Sequence, residues 1–152
     1  RDAASEDALV LSRILDSPVV RILGADTLID LESKILGKPR DARDAENMLR
    51  WLSGREHDVI TAMTLLTCKR YEANPAEISE SVRTTVRFGA LSETEIQTYI
   101  DSRDWDGAAG AYRIQSLGAT LVDSISGSYT NVVGLPLRVF YGMLLRSGFY
   151  EN

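Results

Sequence analysis

Cysteine, histidine and long apolar runs are all scarce in this sequence of 152 residues. Cys68 is its only cysteine, which excludes an intramolecular disulfide and a cysteine-based zinc site and is typical of a reducing compartment. No stretch approaches the roughly 18 consecutive apolar residues of a membrane-spanning helix, and the first residues, RDAASED, lack the basic and then apolar layout of a secretory signal. We therefore expect a cytoplasmic protein that neither spans a membrane nor is exported.

Positive charge is also in short supply: 17 Lys and Arg residues stand against 22 Asp and Glu residues, for a formal net charge of −5. A protein that binds a nucleic-acid polymer usually carries a basic stripe that displaces counterions from phosphate. The acidic balance argues against such a partner, and against interpreting the GAAG of residues 107–110 as an RNA-clamping loop. A small anionic ligand remains compatible with the negative net charge, because a few cations near the site are enough to bind it.

The common signatures of nucleotide and hydrolase sites are absent as well. The chain has no G-x-x-x-x-G-K-[ST], G-x-G-x-x-G, H-E-x-x-H or G-x-S-x-G motif. His57 is the sole histidine, so a Ser-His-Asp triad would have to be built around it. Because His57 stands at the head of a β-rich segment without a nucleophile elbow, we expect it to be structural.

What the chain does have is ordinary globular composition, 44% hydrophobic and 26% charged, with strands and helices interspersed. The predicted elements are a helix over 8–15, a short buried strand over 19–23 bounded by Gly24, a helix over 41–53 capped by Asp41 or Asp44, a central strand over 57–68, a turn at Asn74-Pro75, a long half-exposed strand from Ile78 to Phe88, a helix over 92–102 with a Ser92–Glu95 capping box, and a last helix from Pro136. They predict one α/β domain. Ligands of open α/β sheets bind at the carboxyl ends of strands, so Asp26, just after the first strand, is a candidate site residue.

Five small-residue segments stand out when they are taken together. They are residues 24–27 (GADT), 35–39 (ILGKP), 52–57 (LSGREH), 109–115 (AGAYRIQ) and 127–137 (GSYTNVVGLPL). In order and spacing they resemble the motifs of the Maf (septum-formation) family, from about residue 19 to residue 145. The resemblance implies a Maf/ITPase-like α/β fold with a mixed, twisted sheet flanked by helices. It also implies hydrolysis of nucleoside triphosphates to the monophosphate and pyrophosphate with a divalent cation, Mg²⁺ or Mn²⁺.

The same resemblance assigns roles to four residues. Asp26 matches the acidic residue taken as proton acceptor, acting directly or through the metal, and Lys38 matches a lysine that faces the phosphates. Thr27 and Gln115 match positions that tune the choice of base, since an amide can pair with a pyrimidine edge. The G-A-D-T and A-Y-x-I-Q forms resemble the subfamily that acts on dTTP and UTP.

Simpler interpretations of these residues stand beside the functional ones. An aspartate at a strand end is often an Asx turn or a helix cap. A lysine before a proline, as at Lys38, is usually a solvated turn residue. Gln115 lies in an apolar segment, where an amide can simply satisfy a backbone group.

The sequence also departs from the family pattern. Nothing corresponds to the S-x-S-P-R-R loop or the acidic D-E pair that follows it in the family, and Ala108 stands where many members have lysine. We therefore expect a single Maf-like domain over residues 1–152 that is N-terminally incomplete, with a sheet edge uncovered, weak binding of triphosphate and a tendency to form a homodimer. Two alternatives stay open: a non-catalytic nucleotide-binding or interaction domain that influences septum formation, and an enzyme for another pyrimidine or modified nucleotide.

Overall fold

The computed structural model describes residues 17–151, which form a five-stranded sheet with its helices packed on one face. The strands are β1 (Val19–Leu31), β2 (Lys34–Leu36), β3 (Glu56–Lys69), β4 (Ala76–Phe88) and β5 (Val122–Ser126), and the helices are α1 (Ala42–Leu52), α2 (Glu93–Ser102), α3 (Tyr129–Val133) and α4 (Leu137–Arg146). The α/β class is confirmed. The helix predicted over 8–15 lies outside the described residues, and among those described no helix is long and apolar enough to cross a membrane.

Across the sheet the strand order is β2-β1-β3-β4-β5, and each of these described pairs is antiparallel, whereas we expected a mixed sheet. Short connections account for two of these pairs, β1–β2 and β3–β4, because a tight hairpin can join only antiparallel strands. Glu32 and Ser33 turn the chain from β1 into β2 with φ angles of +51° and +70°, as a two-residue primed turn requires. The central place of β3 and its hairpin with β4 are confirmed.

β1 differs from its prediction as a short buried strand that ends at Gly24. It continues to Leu31 because it pairs with β3 residue by residue from Val19 to Asp30. Gly24 does not adopt a left-handed conformation, and a β-carbon there would meet nothing within 4 Å, so the glycine neither turns the chain nor ends the pairing. Asp26 consequently lies inside the strand and not beyond its carboxyl end.

α1 forms where the spacing of its apolar residues predicts it. Asp41 is the N-cap, since its carboxylate accepts a hydrogen bond from the Asp44 backbone N–H at 2.8 Å, an arrangement that stabilises a helix by about 1 kcal/mol. The chain leaves the helix at Ser53 and Gly54, whose φ of +69° ends the helical path. The buried residues of α1 are Ala45, Met48, Leu49 and Leu52.

α2 carries the predicted capping box, in which Ser92 and Glu95 satisfy each other's backbone N–H groups. Arg50 of α1 donates to the Glu93 carboxylate at 2.6 Å and so joins the two helices at their exposed ends. α4 begins one residue after its predicted start, with Pro136 at the N-cap, which is within the usual spread of helix boundaries.

One face of the sheet is apolar because alternate residues of a strand point to opposite sides. On β3 the odd-numbered residues from His57 to Thr67 are buried, and they support two apolar clusters. The first cluster joins β1, β3 and β4 to α1 and α2, and includes Val59 and Phe88. The second is built on Met63, Leu65 and Met143 of α4. Thr61 lies on β3 between the two clusters and is completely buried.

Candidate active site

A cleft of about 300 Å³ opens on the helix-covered face of the sheet, beside the first cluster. Its floor is formed by Ala25, Thr27 and Ile29 of β1 and by Val59 of β3. Its walls are the loop of residues 107–115, the turn of residues 132–134 and Lys38. All four predicted site residues line it: Asp26, Thr27, Lys38 and Gln115. The structure therefore brings together residues that stand up to 89 positions apart in the chain, from 26 to 115.

Asp26 reaches the cleft from within β1. Its side chain leaves the strand on the side opposite to that of Thr27, but its Oδ1 accepts a hydrogen bond from the Thr27 backbone N–H at 2.9 Å. β2 pairs only with the last residues of β1, Ile29 to Leu31, so β1 has a free edge at Asp26 in the part of the chain that is described. The exposed carboxylate lies at this edge, with Oδ2 available to a ligand.

Lys38 is positioned by a glycine contact between two loops. The Gly110 N–H donates to the Gly37 carbonyl at 2.9 Å, which fixes the residue before Lys38 to the wall of the cleft. Gly110 has a φ of +63°, and a β-carbon there would lie 2.3 Å from Cδ1 of Ile29, so a larger residue would strain the backbone and displace Ile29. Within residues 17–151 no ion pair involves Lys38, which is exposed and lines the cleft.

Gln115 and Arg113 end the same loop. Gln115 is exposed at the rim of the cleft, where its amide can donate and accept hydrogen bonds. The Arg113 guanidinium donates to the backbone carbonyls of Asp104 and Asp106, so its five donors are partly used in folding the loop on itself. The simpler interpretation of Gln115, an amide that satisfies a backbone group, finds no such hydrogen bond among the described residues.

Thr27 is held from below by a chain of hydrogen bonds. Its Oγ1 lies 2.9 Å from Oγ1 of Thr61, which in turn donates to the Asn131 carbonyl at 3.2 Å. The Asn131 side chain donates through Nδ2 to the Val59 carbonyl and to Oγ1 of Thr84, both at 3.0 Å. These contacts fix the turn of residues 132–134 to the sheet and hold Thr27, the polar residue of the floor, in place.

His57 and Tyr112 form a buried pair behind the wall that the loop of residues 107–115 provides. His57 Nε2 lies 2.8 Å from the Tyr112 hydroxyl, and both rings pack edge-to-face with Phe88. Burial lowers the pKa of His57 to about 4 and raises the pKa of Tyr112, so both side chains are neutral near pH 7. Tyr112 lines the cleft, whereas His57 does not, which agrees with the structural role that we expected for the histidine.

The residues present offer a divalent cation only one carboxylate. No cluster of three His, Cys, Asp or Glu side chains occurs in residues 17–151, and Asp26 is the sole acidic residue in the lining of the cleft. Mg²⁺ is commonly bound through one or two carboxylates, with substrate phosphates and waters as the other ligands. The cleft therefore fits such an ion only where a bound molecule or water supplies most of its ligands.

Thr61 and Asn131 are site residues that the sequence analysis missed. Both are completely buried, and each places a polar group beneath the cleft. One feature of the sequence does point to Thr61: it interrupts the buried apolar alternation of β3 between Val59 and Met63. Asn131 lies in a segment whose burial depends on contacts distant in sequence, so nothing local indicates its role.

Comparison with known proteins gives one family and a consistent set of relatives. The family model described as Maf-like protein matches residues 1–147. A dTTP/UTP pyrophosphatase of Roseobacter denitrificans is 44% identical over 146 residues, which cover 96% of this chain and 73% of that protein. Proteins of the same name from Syntrophotalea carbinolica and Syntrophomonas wolfei are 50% and 48% identical over 83% and 84% of this chain. Those matches cover 56% and 65% of the two relatives' lengths, so the chain spans a little over half to about three quarters of these proteins.

Proposed function

The chain belongs to the Maf-like protein family, and from that premise we propose that its cleft is the site of a nucleoside triphosphate pyrophosphatase that acts on dTTP and UTP. The observation that carries the proposal is the convergence of Asp26, Thr27, Lys38 and Gln115 on one cleft. Relatives 44–50% identical to this chain are named dTTP/UTP pyrophosphatases, which supports the same substrate class.

Asp26 is proposed as the general base. A water oxygen attacks the α-phosphorus, the bond from that phosphorus to the bridging oxygen of the β-phosphate breaks, and pyrophosphate leaves. The proton of the water passes to the Asp26 carboxylate, whose Oδ2 is not used by the hydrogen bond to Thr27. A carboxylate suits this role because it is exposed at the strand edge, where a water and a phosphate can both approach it.

Lys38 is proposed to bind the phosphates. As a point cation facing the cleft, it offsets the negative charge that develops on the phosphoryl oxygens as the bond breaks. Its place is set by the contact between Gly110 and Gly37, so a shift of that loop would move the cation away from the substrate.

Thr27 and Gln115 are proposed to contact the base. A hydroxyl on the floor and an amide on the rim offer hydrogen bonds in fixed directions, and uracil and thymine present the same pattern of donors and acceptors on their Watson–Crick edges. This common edge explains why one cleft would accept both dTTP and UTP.

Mg²⁺ or Mn²⁺ is proposed as the cofactor, held by Asp26 together with the substrate phosphates. When bound, such an ion neutralises phosphate charge and lowers the pKa of a coordinated water. With one carboxylate in the cleft, the affinity for the ion would depend on the nucleotide, since most of its ligands would come from phosphates and water.

Pyrophosphate release from dTTP and UTP in the presence of Mg²⁺ or Mn²⁺ tests this function. We expect Asp26→Asn to lower kcat about 100-fold or more, because it keeps the size and the hydrogen bond of the side chain but removes the base. Asp30→Asn is the matched control: Asp30 points to the same side of β1, also accepts a backbone N–H at 2.8 Å, from Ser33, and lies outside the cleft. Near wild-type turnover by the Asp26→Asn protein would overturn the role of Asp26.

A second function, binding of the nucleotide without hydrolysis, is favoured by the small number of cations that residues 17–151 place in the cleft. Ala108, where a lysine stands in many proteins with this motif, lies in the cleft wall, and the guanidinium of Arg113 is engaged with backbone carbonyls. Such a domain would act as a nucleotide sensor or an interaction domain in septum formation. Nucleotide binding in calorimetry with no pyrophosphate released under any metal condition would establish this alternative.

A further inference from the structure

Thr61 lies at the centre of β3, beneath the cleft, and it is completely buried. Its hydroxyl has two polar neighbours, Oγ1 of Thr27 at 2.9 Å and the carbonyl of Asn131 at 3.2 Å. Thr27 lines the cleft, whereas Thr61 does not. Thr61 can therefore influence a ligand only through the hydroxyl above it.

The two contacts fix where the hydroxyl protons lie. A carbonyl can only accept, so the contact between Thr61 and Asn131 uses the single proton of the Thr61 hydroxyl. Thr61 then has only lone pairs left for Thr27, and the proton between the two threonines must come from Thr27. This is the sole arrangement that fills both contacts, and it leaves no buried hydroxyl unpaired.

The hydroxyls of Thr27 and Thr61 and the carbonyl of Asn131 form a hydrogen-bond relay. The Asn131 carbonyl at its end is held in place. The Asn131 side chain is anchored to Val59 and Thr84, and the Gly134 N–H donates to the same Asn131 carbonyl at 3.0 Å. A fixed acceptor below Thr61 thus sets the direction of the whole chain of hydrogen bonds, from Thr27 down to Asn131.

Thr27 consequently presents only lone pairs to the cleft. A β-carbon at Gly134 would lie 3.5 Å from Oγ1 of Thr27, so the glycine leaves space over the hydroxyl for a ligand atom. A ligand group that meets Oγ1 there must donate a hydrogen bond. A group that brings a lone pair of its own would leave two acceptors facing each other without a proton, which costs the free energy of an unmade hydrogen bond.

We propose that Thr61 is a positioning residue that sets the choice of base by holding Thr27 as a fixed hydrogen-bond acceptor. Uracil and thymine carry a proton on N3 and can donate it to Thr27, whereas N3 of cytosine carries a lone pair and is rejected. The inference rests on the proposed function, because it takes the base to lie at Thr27. It adds to that function a buried residue that does not touch the substrate and yet decides between dTTP and dCTP.

The test measures discrimination in binding. Dissociation constants for the α,β-imido analogues of dTTP and dCTP are measured by calorimetry for the wild-type chain and for Thr61→Val, which replaces the hydroxyl by a methyl group of similar size. We expect Thr61→Val to lower the preference for the dTTP analogue by roughly fivefold to tenfold, the factor that corresponds to one neutral hydrogen bond. The preference falls because the affinity for the dCTP analogue rises: the Thr27 hydroxyl no longer donates to Thr61 and can donate to N3 of cytosine.

Two controls separate this effect from a general loss of structure. Thr61→Ser keeps the hydroxyl and should keep the wild-type preference. Thr67→Val makes the same exchange at another buried position on the same face of β3, outside the cleft, and should also leave the ratio unchanged. A ratio of two dissociation constants on one preparation does not depend on the fraction of folded protein.

A second variant keeps the inference falsifiable if Thr61→Val does not fold. Thr27 is half-buried in the cleft floor. The Thr27→Val variant should bind the dTTP analogue several-fold more weakly, with no loss of affinity for the dCTP analogue. An equal loss with both analogues would show that Thr27 can also donate, and would overturn the fixed direction of the relay.

Each outcome distinguishes the inference from the proposed function. A wild-type chain that binds both analogues equally, or neither, overturns the inference, as does a Thr61→Val protein that keeps the full preference. Pyrophosphate release from dTTP and UTP is measured on the same preparations. If the ratios of dissociation constants change as expected and no pyrophosphate appears, the proposed hydrolysis is wrong and the inference about Thr61 is supported. If pyrophosphate appears and Thr61→Val does not change the ratio, only the inference about Thr61 is wrong.

Discussion

His57 couples the stability of the fold to pH because its imidazole is buried among aromatic rings. Burial lowers the pKa of His57 to about 4, and the nearby Asp58 carboxylate only partly opposes this effect. An exposed histidine in the unfolded chain has a pKa of about 6.5. Between these two values the unfolded chain binds a proton that the folded protein does not, so protonation favours unfolding.

We expect the free energy of unfolding to fall as the pH is lowered from 7 to 5, by roughly 2 kcal/mol from His57 alone. The sign follows from the lowered pKa: the contribution is fully present above about pH 6.5 and is lost as the pH falls toward 4. Urea unfolding at pH 7, 6 and 5 measures it. Asp58, Glu93 and Glu95 also have lowered pKa values, but an unfolded carboxyl titrates near pH 4, so their losses begin at a lower pH.

His57→Gln is the control for this pH dependence. Glutamine keeps a hydrogen-bonding group near Tyr112 but cannot titrate, so the difference between pH 7 and pH 5 should largely disappear even if the variant is less stable at both. An equal pH dependence in the two proteins would assign the effect to other groups.

Among the elements, helices and the hairpin were predictable from sequence, whereas the end of β1 was not. α1 and α2 have local causes: a capping side chain at Asp41 or Ser92 and apolar residues at helical spacing. The extent of β1 is set by β3, whose paired residues lie 28 to 50 positions away, and no local pattern around Gly24 shows that pairing. The antiparallel sheet likewise follows from which strands meet, and that is a property of the whole chain.

The four predicted residues of the cleft were reached by a different route. Their positions inside motifs, and not their local structure, indicated Asp26, Thr27, Lys38 and Gln115. The structure places them together, while their roles remain predictions. Thr61 lies outside these motifs, and Asn131 lies inside one of them, residues 127–137, without a role assigned to it. The importance of both residues lies in hydrogen bonds between elements that only the folded chain brings into contact.

Gly110 links the two loops that carry Lys38 and Gln115, and it predicts a coupled effect on stability and binding. Gly110→Ala would place a methyl carbon 2.3 Å from Cδ1 of Ile29 at a residue with φ of +63°. We expect a loss of stability of about 1–3 kcal/mol from overpacking and backbone strain, measured by urea unfolding. Because Gly110 also holds Gly37, affinity for the nucleotide should fall as well.

Gly142→Ala serves as the matched control for this variant. Gly142 lies in α4, a β-carbon there would meet nothing within 4 Å, and alanine favours a helix. The control should be neutral or slightly stabilising and should bind nucleotide normally. If Gly110→Ala keeps wild-type stability and affinity, the two loops are not coupled through this contact.

On the scale of the whole molecule, β3 joins both apolar clusters and the floor of the cleft. Val59 belongs to the first cluster and Met63 to the second, so neither cluster can unfold without disturbing the strand between them. α4 also presents an exposed apolar stripe, Leu137, Tyr141 and Leu145, at i, i+4 and i+8. The homodimer expected from the sequence could use this surface. The dimer stays a prediction, which sedimentation of the protein would test.

Since Val59 of this shared strand forms part of the cleft floor, a bound nucleotide should stabilise the molecule as one unit. With dTTP and Mg²⁺ at 100 times the dissociation constant, linkage gives about 2.7 kcal/mol, and Tm should rise by about 5–10 °C in a single transition. Lys38→Met, which keeps the length of the side chain and removes its charge, should weaken binding and reduce the rise at the same nucleotide concentration. An unchanged rise in Tm for the Lys38→Met protein would show that Lys38 does not face the phosphates. Two separate thermal unfolding transitions would show that β3 does not unite the clusters.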